Sequence, residues 1–460
     1  MKNRICGMVT VILVILFACP GRATMENNTV LKVSSMMGNL WDSTISIYEK
    51  KSSHVTVEIS ENPLSNQDII EKLINKDQSI DVYAIQDTSI YLIPLLKEKE
   101  LFANLAENAE IESVVESMYP VFSDFFRVDD MICAFPYNIK FDACYFFDDE
   151  VAKVTNYRTE EIPENLIDLA EAIIKWDTEM TSMYPDYGLE TGIAKVPGNP
   201  YFDVALSLYE YYCLKEYGSI QFDTPLFRKV MSAIDPLKND MEENEDNIIF
   251  DSGPDEGILY ISMETPADLI FYPWKKRLIK PLALTSDTSN ILPVSFSCFV
   301  VNPYSMHKQE AMDFISVFAS QMDMKLSYCL SQDRINPVEN ASYEKNVSDA
   351  QSAINEYEEK LKNCPPEDKK RWESQLEIVK NVLKSAEQNR FDITVDAIQD
   401  YKKNIVPYIF ILGNSPYETS GIKDQIRKVF SMYTDGAIGI DETVSQLDKV
   451  IKMQALEGGI

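Results

Sequence analysis

Ten residues close to the ends of strand-like segments could hold a ligand: Asn39, Trp41, Gln86, Asp87, Tyr137, Asn138, Tyr201, Glu264, Tyr272 and Trp274. Flat rings beside carboxylates and amides suit a molecule with an apolar C–H face and a rim of hydroxyls, which is the chemistry of a sugar. Such a set suits binding. Trp41 stands out among the rings because it follows the first strand-like segment across a polar, glycine-containing turn. Core packing competes for every one of these aromatics, and about half are expected inside the protein, away from a cleft. Trp176 ends an amphipathic helix and is expected in a core. Asp87 and Glu264 would also suit a cation or an amine-bearing ligand.

Reactive chemistry has little support. His54 and His307 are the only histidines, and neither accompanies a Gly-x-Ser-x-Gly elbow or a phosphate-binding glycine loop. Among 73 acidic residues a pair of carboxylates arises by chance, and Asp148-Asp149-Glu150 reads as a turn opening a helix. The acidic run at 240–246 lacks the alternating oxygen ligands and glycine of a calcium loop. No catalytic residue, metal site or cofactor is expected. Beyond Cys6 and Cys19 the cysteines (Cys133, Cys144, Cys213, Cys298, Cys329, Cys364) are scattered, with no C-x-x-C pair. Cys133, Cys144 and Cys298 lie in apolar runs, where a thiol behaves as a small hydrophobe; one bridge among them stays open.

The elements that would position the ten residues alternate as in an α/β domain. Strand-like 29–34 precedes a helix over 39–51; strand-like 55–59 precedes a helix over 65–76, with Ser65 and Asp68 close to a capping box; strand-like 80–85 follows. Strands separated by helices imply a mostly parallel sheet whose carboxyl-end loops form a crevice, which puts 35–41 and Gln86-Asp87 at a rim. A largely helical part follows, with helices over 163–176, 201–217 and 223–237, the last capped by Thr224 with Pro225 in its first turn. The chain then runs back along 294–301, so it crosses between two halves at least twice, and two strands can act as a hinge.

Residues 347–404 read as an addition. Ile354, Tyr357 and Leu361 share one helical face, and Trp372, Leu376, Val379, Leu383 and Ala386 repeat at four, three, four and three, a seam for packing one helix on another. Cys364-Pro365-Pro366 stops the first arm and Glu367-Asp368 opens the second. The expectation is a stabilising appendage packed on one half, with a docking arm as the other use.

Several segments in order resemble the extracellular solute-binding proteins of bacterial ATP-driven (ABC) importers, oligosaccharide type. They are Asp81-Val82, the stretch 101–105 (LFANL), Ala134-Phe135-Pro136-Tyr137-Asn138, Tyr145-Phe146-Phe147-Asp148, the return segment 302–320 and the ending 433–449 with its Asp435-Gly436 turn. Gly436 suits a left-handed position, and Asp441 is expected to cap the last helix. The resemblance covers roughly 30–335 and 405–457. It implies an α/β chain with the two-lobed type II periplasmic-binding-protein fold: mixed, mostly parallel sheets plus an inserted helical hairpin. Lobe 1 would take 29–138 and 299–345, lobe 2 would take 139–298 and 405–460, and the hairpin 346–404. It further implies a monomeric receptor that closes on a small-molecule ligand, a sugar or oligosaccharide, and delivers it to an ABC permease, with no bond made or broken. The alternative is a surface sensor or adaptor that keeps the fold and binds a protein through the hairpin.

The first residues fit export. Lys2 and Arg4 precede an apolar run, 9–17, that is shorter than the roughly 20 residues of a membrane span, and small residues follow it. Leu16-Phe17-Ala18-Cys19 resembles a lipobox, which would make Cys19 the lipidated first residue on the outer face of the membrane; cleavage after Ala23 is the other reading. Residues 1–23 carry three cations and no acid, so without them 40 basic residues face 73 acidic ones, a net charge of −33. That charge repels phosphate backbones and argues against nucleic acid as a partner.

Overall fold

The computed structural model describes residues 28–35, 41–60, 64–86, 92–141, 144–147, 163–180, 182–184, 187–190, 200–237, 256–262, 265–266, 271, 278–411 and 420–457. In chain order the strands are β1 (Thr29–Ser34), β2 (Val55–Ser60), β3 (Val82–Ile85), β4 (Arg127–Val128), β5 (Met131–Ile132), β6 (Phe135–Phe141), β7 (Cys144–Phe147) and β8 (Tyr187–Glu190). They continue as β9 (Glu256–Ser262), β10 (Thr265–Pro266), β11 (Leu278–Pro281), β12 (Leu292–Val301), β13 (Val338–Glu339), β14 (Phe391–Ile393) and β15 (Ile409–Ile411).

Two mixed sheets carry two cores. The first has the order β10-β6-β12-β3-β1-β2, with β15 also on β12; the second has the order β11-β7-β9-β8. β1 lies between β2 and β3, parallel to both, so Leu31 and Val33 are buried. Covered on both faces, β12 (LPVSFSCFVV) is buried along its whole length, as its apolar run demands. The first core gathers Val33, Val82, Phe135, Phe141, Phe299 and Phe314; the second gathers Leu169, Phe202, Phe227, Phe430 and Leu447.

Local chemistry sets several element starts. Ser65 and Asp68 form the expected capping box, each side chain accepting the other's backbone N–H at 3.1 and 2.9 Å, and open the helix Asn66–Ile74. Thr224 accepts the Phe227 amide at 3.1 Å and Pro225 begins the helix Pro225–Ile234. The helix expected over 39–51 begins at Asp42. Asp441 is not the last helix's cap: Ile440–Glu457 already contains it in the first turn, where its carboxylate pairs with Arg228.

Among the described residues the chain passes between the two sheets and their cores after Phe141, between β9 and β10, between Phe271 and β11, between Leu284 and Leu292, and after Ile411. These points shift the expected boundaries. Ile139, Phe141 and the β12 residues Leu292, Val294, Phe296 and Cys298 pack in the first core, not the second, because β6 and β12 are its central strands. Ile393, Ile398, Tyr401, Ile405 and Ile409 join the same core, and the Tyr401 hydroxyl donates to the Cys329 carbonyl at 2.9 Å. The hairpin is therefore the two helices Tyr343–Asn363 and Lys369–Gln388, rooted on the β13–β14 ladder, and not all of 346–404. Its seam forms, with Tyr357 and Trp372 at 5.9 Å, but its arms pack chiefly on each other. Only Ala350 and Ile354 are buried in the first arm and nothing is in the second, so it projects and does not lie on a lobe as expected. Among the described residues Cys133, Cys213, Cys298 and Cys364 are free thiols.

Candidate functional site

The register of β12 defines the candidate crevice. From one end β3 pairs antiparallel with it as far as Ile85–Cys298; from the other β15 pairs parallel as far as Ile411–Val294. Both strands point their carboxyl ends at the same stretch. Between them lie Ser295, Phe296 and Ser297, which have no strand on that edge among the described residues. A gap where neighbouring strands stop head to head is the switch point at which sheets of this class expose a ligand crevice.

On the other edge of the gap, β6 pairs Asn138 with Ser297 and Lys140 with Ser295. Paired residues share a sheet face, so Asn138, Lys140, Ser295 and Ser297 form a polar facet. Gln86, one residue beyond the Ile85 pair, joins the same row. Ile139 and Phe141 alternate to the opposite face and are fully buried. The two serines are buried and Asn138, Lys140 and Gln86 are half-buried, a graded set of hydroxyl, amide and ammonium groups. Cys298 pairs with Pro136 while Ser297 pairs with Asn138, which leaves Tyr137 as the extra residue of a bulge. The bulge aims its ring at Phe299 (4.7 Å) and Trp41 (5.4 Å), and its hydroxyl donates to the Ile85 carbonyl at 3.3 Å.

Trp41 is core. It is 2% exposed and meets Tyr137 and Phe299 edge-on at 5.4 and 5.1 Å, so its face is not open as a sugar platform. Trp176 is buried in the second core, as expected. Tyr201 belongs to the helix Pro200–Tyr217. Asn39, Asp87, Glu264, Tyr272, Trp274 and Cys19 lie outside the described residues. Lys140, Ser295 and Ser297 were missed by sequence reasoning; the signal was the period-two alternation of NIK and SFS inside otherwise apolar runs. His54 is exposed and His307 opens the helix Lys308–Ser320. A separate cavity of about 400 Å³, lined by Ser117, Met118, Met322, Tyr328 and Arg334 among others, contains none of the ten candidates.

No family model matches the sequence, and no curated protein matches it. Solved structures do match, end to end. The sugar-binding protein MalE from Xanthomonas citri aligns at 14% identity over 93% of this chain and 98% of its own, with a TM-score of 0.53. The fold is that of the two-lobed solute-binding proteins. A RafE structure in complex with raffinose aligns at 10% identity over 93% and 99% of the two chains, TM-score 0.53. An ABC transporter solute-binding protein from Agrobacterium vitis S4 with bound D-mannitol aligns at 15% identity over 94% and 99%, TM-score 0.52. At these identities the likeness is one of fold, and it spans both lobes.

Proposed function

We propose that this protein is an extracellular solute-binding receptor, anchored through Cys19, that captures a carbohydrate between its lobes as a monomer and hands it to an ABC permease. The observation that carries this reading is the gap on β12, where Gln86, Asn138, Lys140, Ser295 and Ser297 converge within a fold shared end to end with proteins described as binding maltose, raffinose or mannitol. Hydroxyls and amides there suit a polyhydroxylated ligand, and the repeated chain crossings supply the hinge on which two lobes can close. Asn39, Asp87, Tyr201, Glu264, Tyr272 and Trp274 remain its further candidate contacts.

The test is a thermal-shift screen of the chain from Thr24 onward against mono- and oligosaccharides, polyols, amino acids and peptides. A ligand at about 100 times its dissociation constant adds about 2.7 kcal/mol, a rise of a few degrees. A sugar response that weakens in both Gln86→Ala and Asn138→Ala supports the reading; a response indifferent to both moves the site elsewhere. Silence across the panel favours a sensor or adaptor working through the hairpin, where Ile378 and Val382 are 51% and 52% exposed.

A further inference from the structure

The cavity that stands apart from the crevice has a chemistry of its own. It lies on the first lobe, among the helix Ala109–Glu116, the end of Lys308–Ser320, the helix Met324–Leu330 and β13. Its volume of about 400 Å³ falls within the roughly 300–1,000 Å³ of small-molecule sites. Acids are 73 of the 460 residues of this chain, yet none of the thirteen that line the cavity, and Arg334 is the one charged residue of that lining. The neighbouring acids do not neutralise it. Asp323 accepts the Lys325 and Leu326 amides at 2.8 and 3.2 Å, Glu339 pairs with Arg390, and Glu116 and Asp333 are exposed and outside the lining. Arg334 makes no ion pair among the described residues.

Most hydroxyls of the lining are already spent. Ser117 donates to the Val114 carbonyl at 2.8 Å, Ser320 to the Val317 carbonyl at 2.7 Å, Tyr328 to the Asn336 carbonyl at 2.5 Å and Ser331 to the Ser117 carbonyl at 3.1 Å. Arg334 differs: its Nε–H donates to Ser327 Oγ at 3.0 Å, which holds the plane of the guanidinium and leaves its four terminal N–H groups without an acceptor among the described residues. The Ser327 hydroxyl, having accepted that bond, keeps its own hydrogen to donate. Side by side, these donors form a fork that matches a carboxylate. The rest of the lining is apolar: Met118 and Leu330 are buried, and Met322 and Val338 half-buried. Thioethers adapt to an irregular apolar body. We propose that this cavity is a second binding site, for an amphipathic carboxylate of the medium-chain fatty-acid kind, whose head meets Arg334 and Ser327 at the mouth and whose chain lies against Met118 and Leu330. None of the crevice residues lines it, so the site is independent of what the crevice binds.

The experiment is isothermal titration calorimetry of the chain from Thr24 onward with octanoate, 1-octanol and inorganic phosphate, the octanoate kept below micelle-forming concentrations. Octanoate is expected to bind saturably, one per chain, with the alcohol and the phosphate each at least about tenfold weaker, because each lacks one half of the match. Arg334→Gln removes the charged fork and is expected to weaken octanoate by about tenfold to a hundredfold. Arg334→Lys, which keeps the charge without the fork, should fall between variant and parent. Arg334 is exposed, so both variants should keep the parent's melting temperature and its thermal shifts in the sugar screen. Octanol binding as tightly as octanoate overturns the proposal, as does phosphate binding as tightly, an Arg334→Gln variant that binds like its parent, or no saturable uptake of octanoate. So does octanoate binding lost in Gln86→Ala and Asn138→Ala but kept in Arg334→Gln, because the ligand would then sit in the crevice.

Discussion

Removing the Trp41 side chain separates a core residue from a sugar platform. Trp41 is 2% exposed and wedged edge-on between Tyr137 and Phe299. A tryptophan buries roughly 200 Å², which at about 25 cal/mol per Å² is an upper value of about 5 kcal/mol. Truncations of buried tryptophan cost about 3–5 kcal/mol in practice. Trp41→Ala is therefore expected to destabilise the first lobe by about 4 kcal/mol, lowering its melting temperature by roughly 8–16 °C. Urea unfolding followed by far-ultraviolet circular dichroism reads the loss, with Trp41→Phe as a control that keeps an aromatic wedge and recovers most of it. A loss under about 1 kcal/mol, together with abolished sugar binding, would refute the burial argument and restore Trp41 as a platform.

Four further outcomes follow from buried or strained groups. Among the described residues nothing hydrogen-bonds the buried Tyr83 hydroxyl, so Tyr83→Phe is expected to stabilise by about 1 kcal/mol in urea melts; a loss of that size would mean an unseen partner. Hydrogen bonds from Lys72 and Ser79 hold the Asp77 carboxyl down at about 2, so its contribution is present above pH ~4 and fades as pH falls towards about 2. Lys72→Met should cost about 1 kcal/mol at neutral pH, after allowance for screening of this half-exposed pair, with the difference from the parent shrinking along that acid limb. Burial pushes the Cys133 thiol up to about 12, and Cys213, Cys298 and Cys329 are buried too, so of these and Cys364 only Cys364 should label rapidly with a thiol reagent in the native protein. Gly436 has φ +71° with open space where a Cβ would stand, so Gly436→Ala should cost about 1 kcal/mol through backbone strain alone.

Much of the scaffold was legible because local chemistry and tertiary structure agree on it. The strands and helices from Thr29 to Ile85, the Ser65–Asp68 box, the Tyr357–Trp372 seam and the left-handed Gly436 all follow from periodicity, caps and turns. The site was less legible for two reasons. Trp41 sits after a strand in an order that allows either a rim or a wedge, and only the packing of Tyr137 and Phe299 against it decides. Ser295 and Ser297 are hidden in an apolar run, and their meaning depends on where β3 and β15 stop, a pairing between segments more than 100 residues apart. The boundaries between lobes failed for the same reason: β6 and β12 read as connectors by position, whereas their neighbours make them central.

The two cores also differ in when they can be completed. Residues up to Ile411 supply the whole of the first, but the second draws Ile426, Phe430, Tyr433, Val444 and Leu447 from the last helices and Leu169, Phe202 and Phe227 from far upstream. A chain emerging amino-end first could assemble the first lobe while the second still lacks one wall, leaving the apolar faces of Leu166–Glu179 and Pro225–Ile234 uncovered until the final turn arrives. Loss of a few dozen carboxyl-terminal residues would thus spare one lobe and strand the other, so the tail acts as a quality gate on the finished molecule.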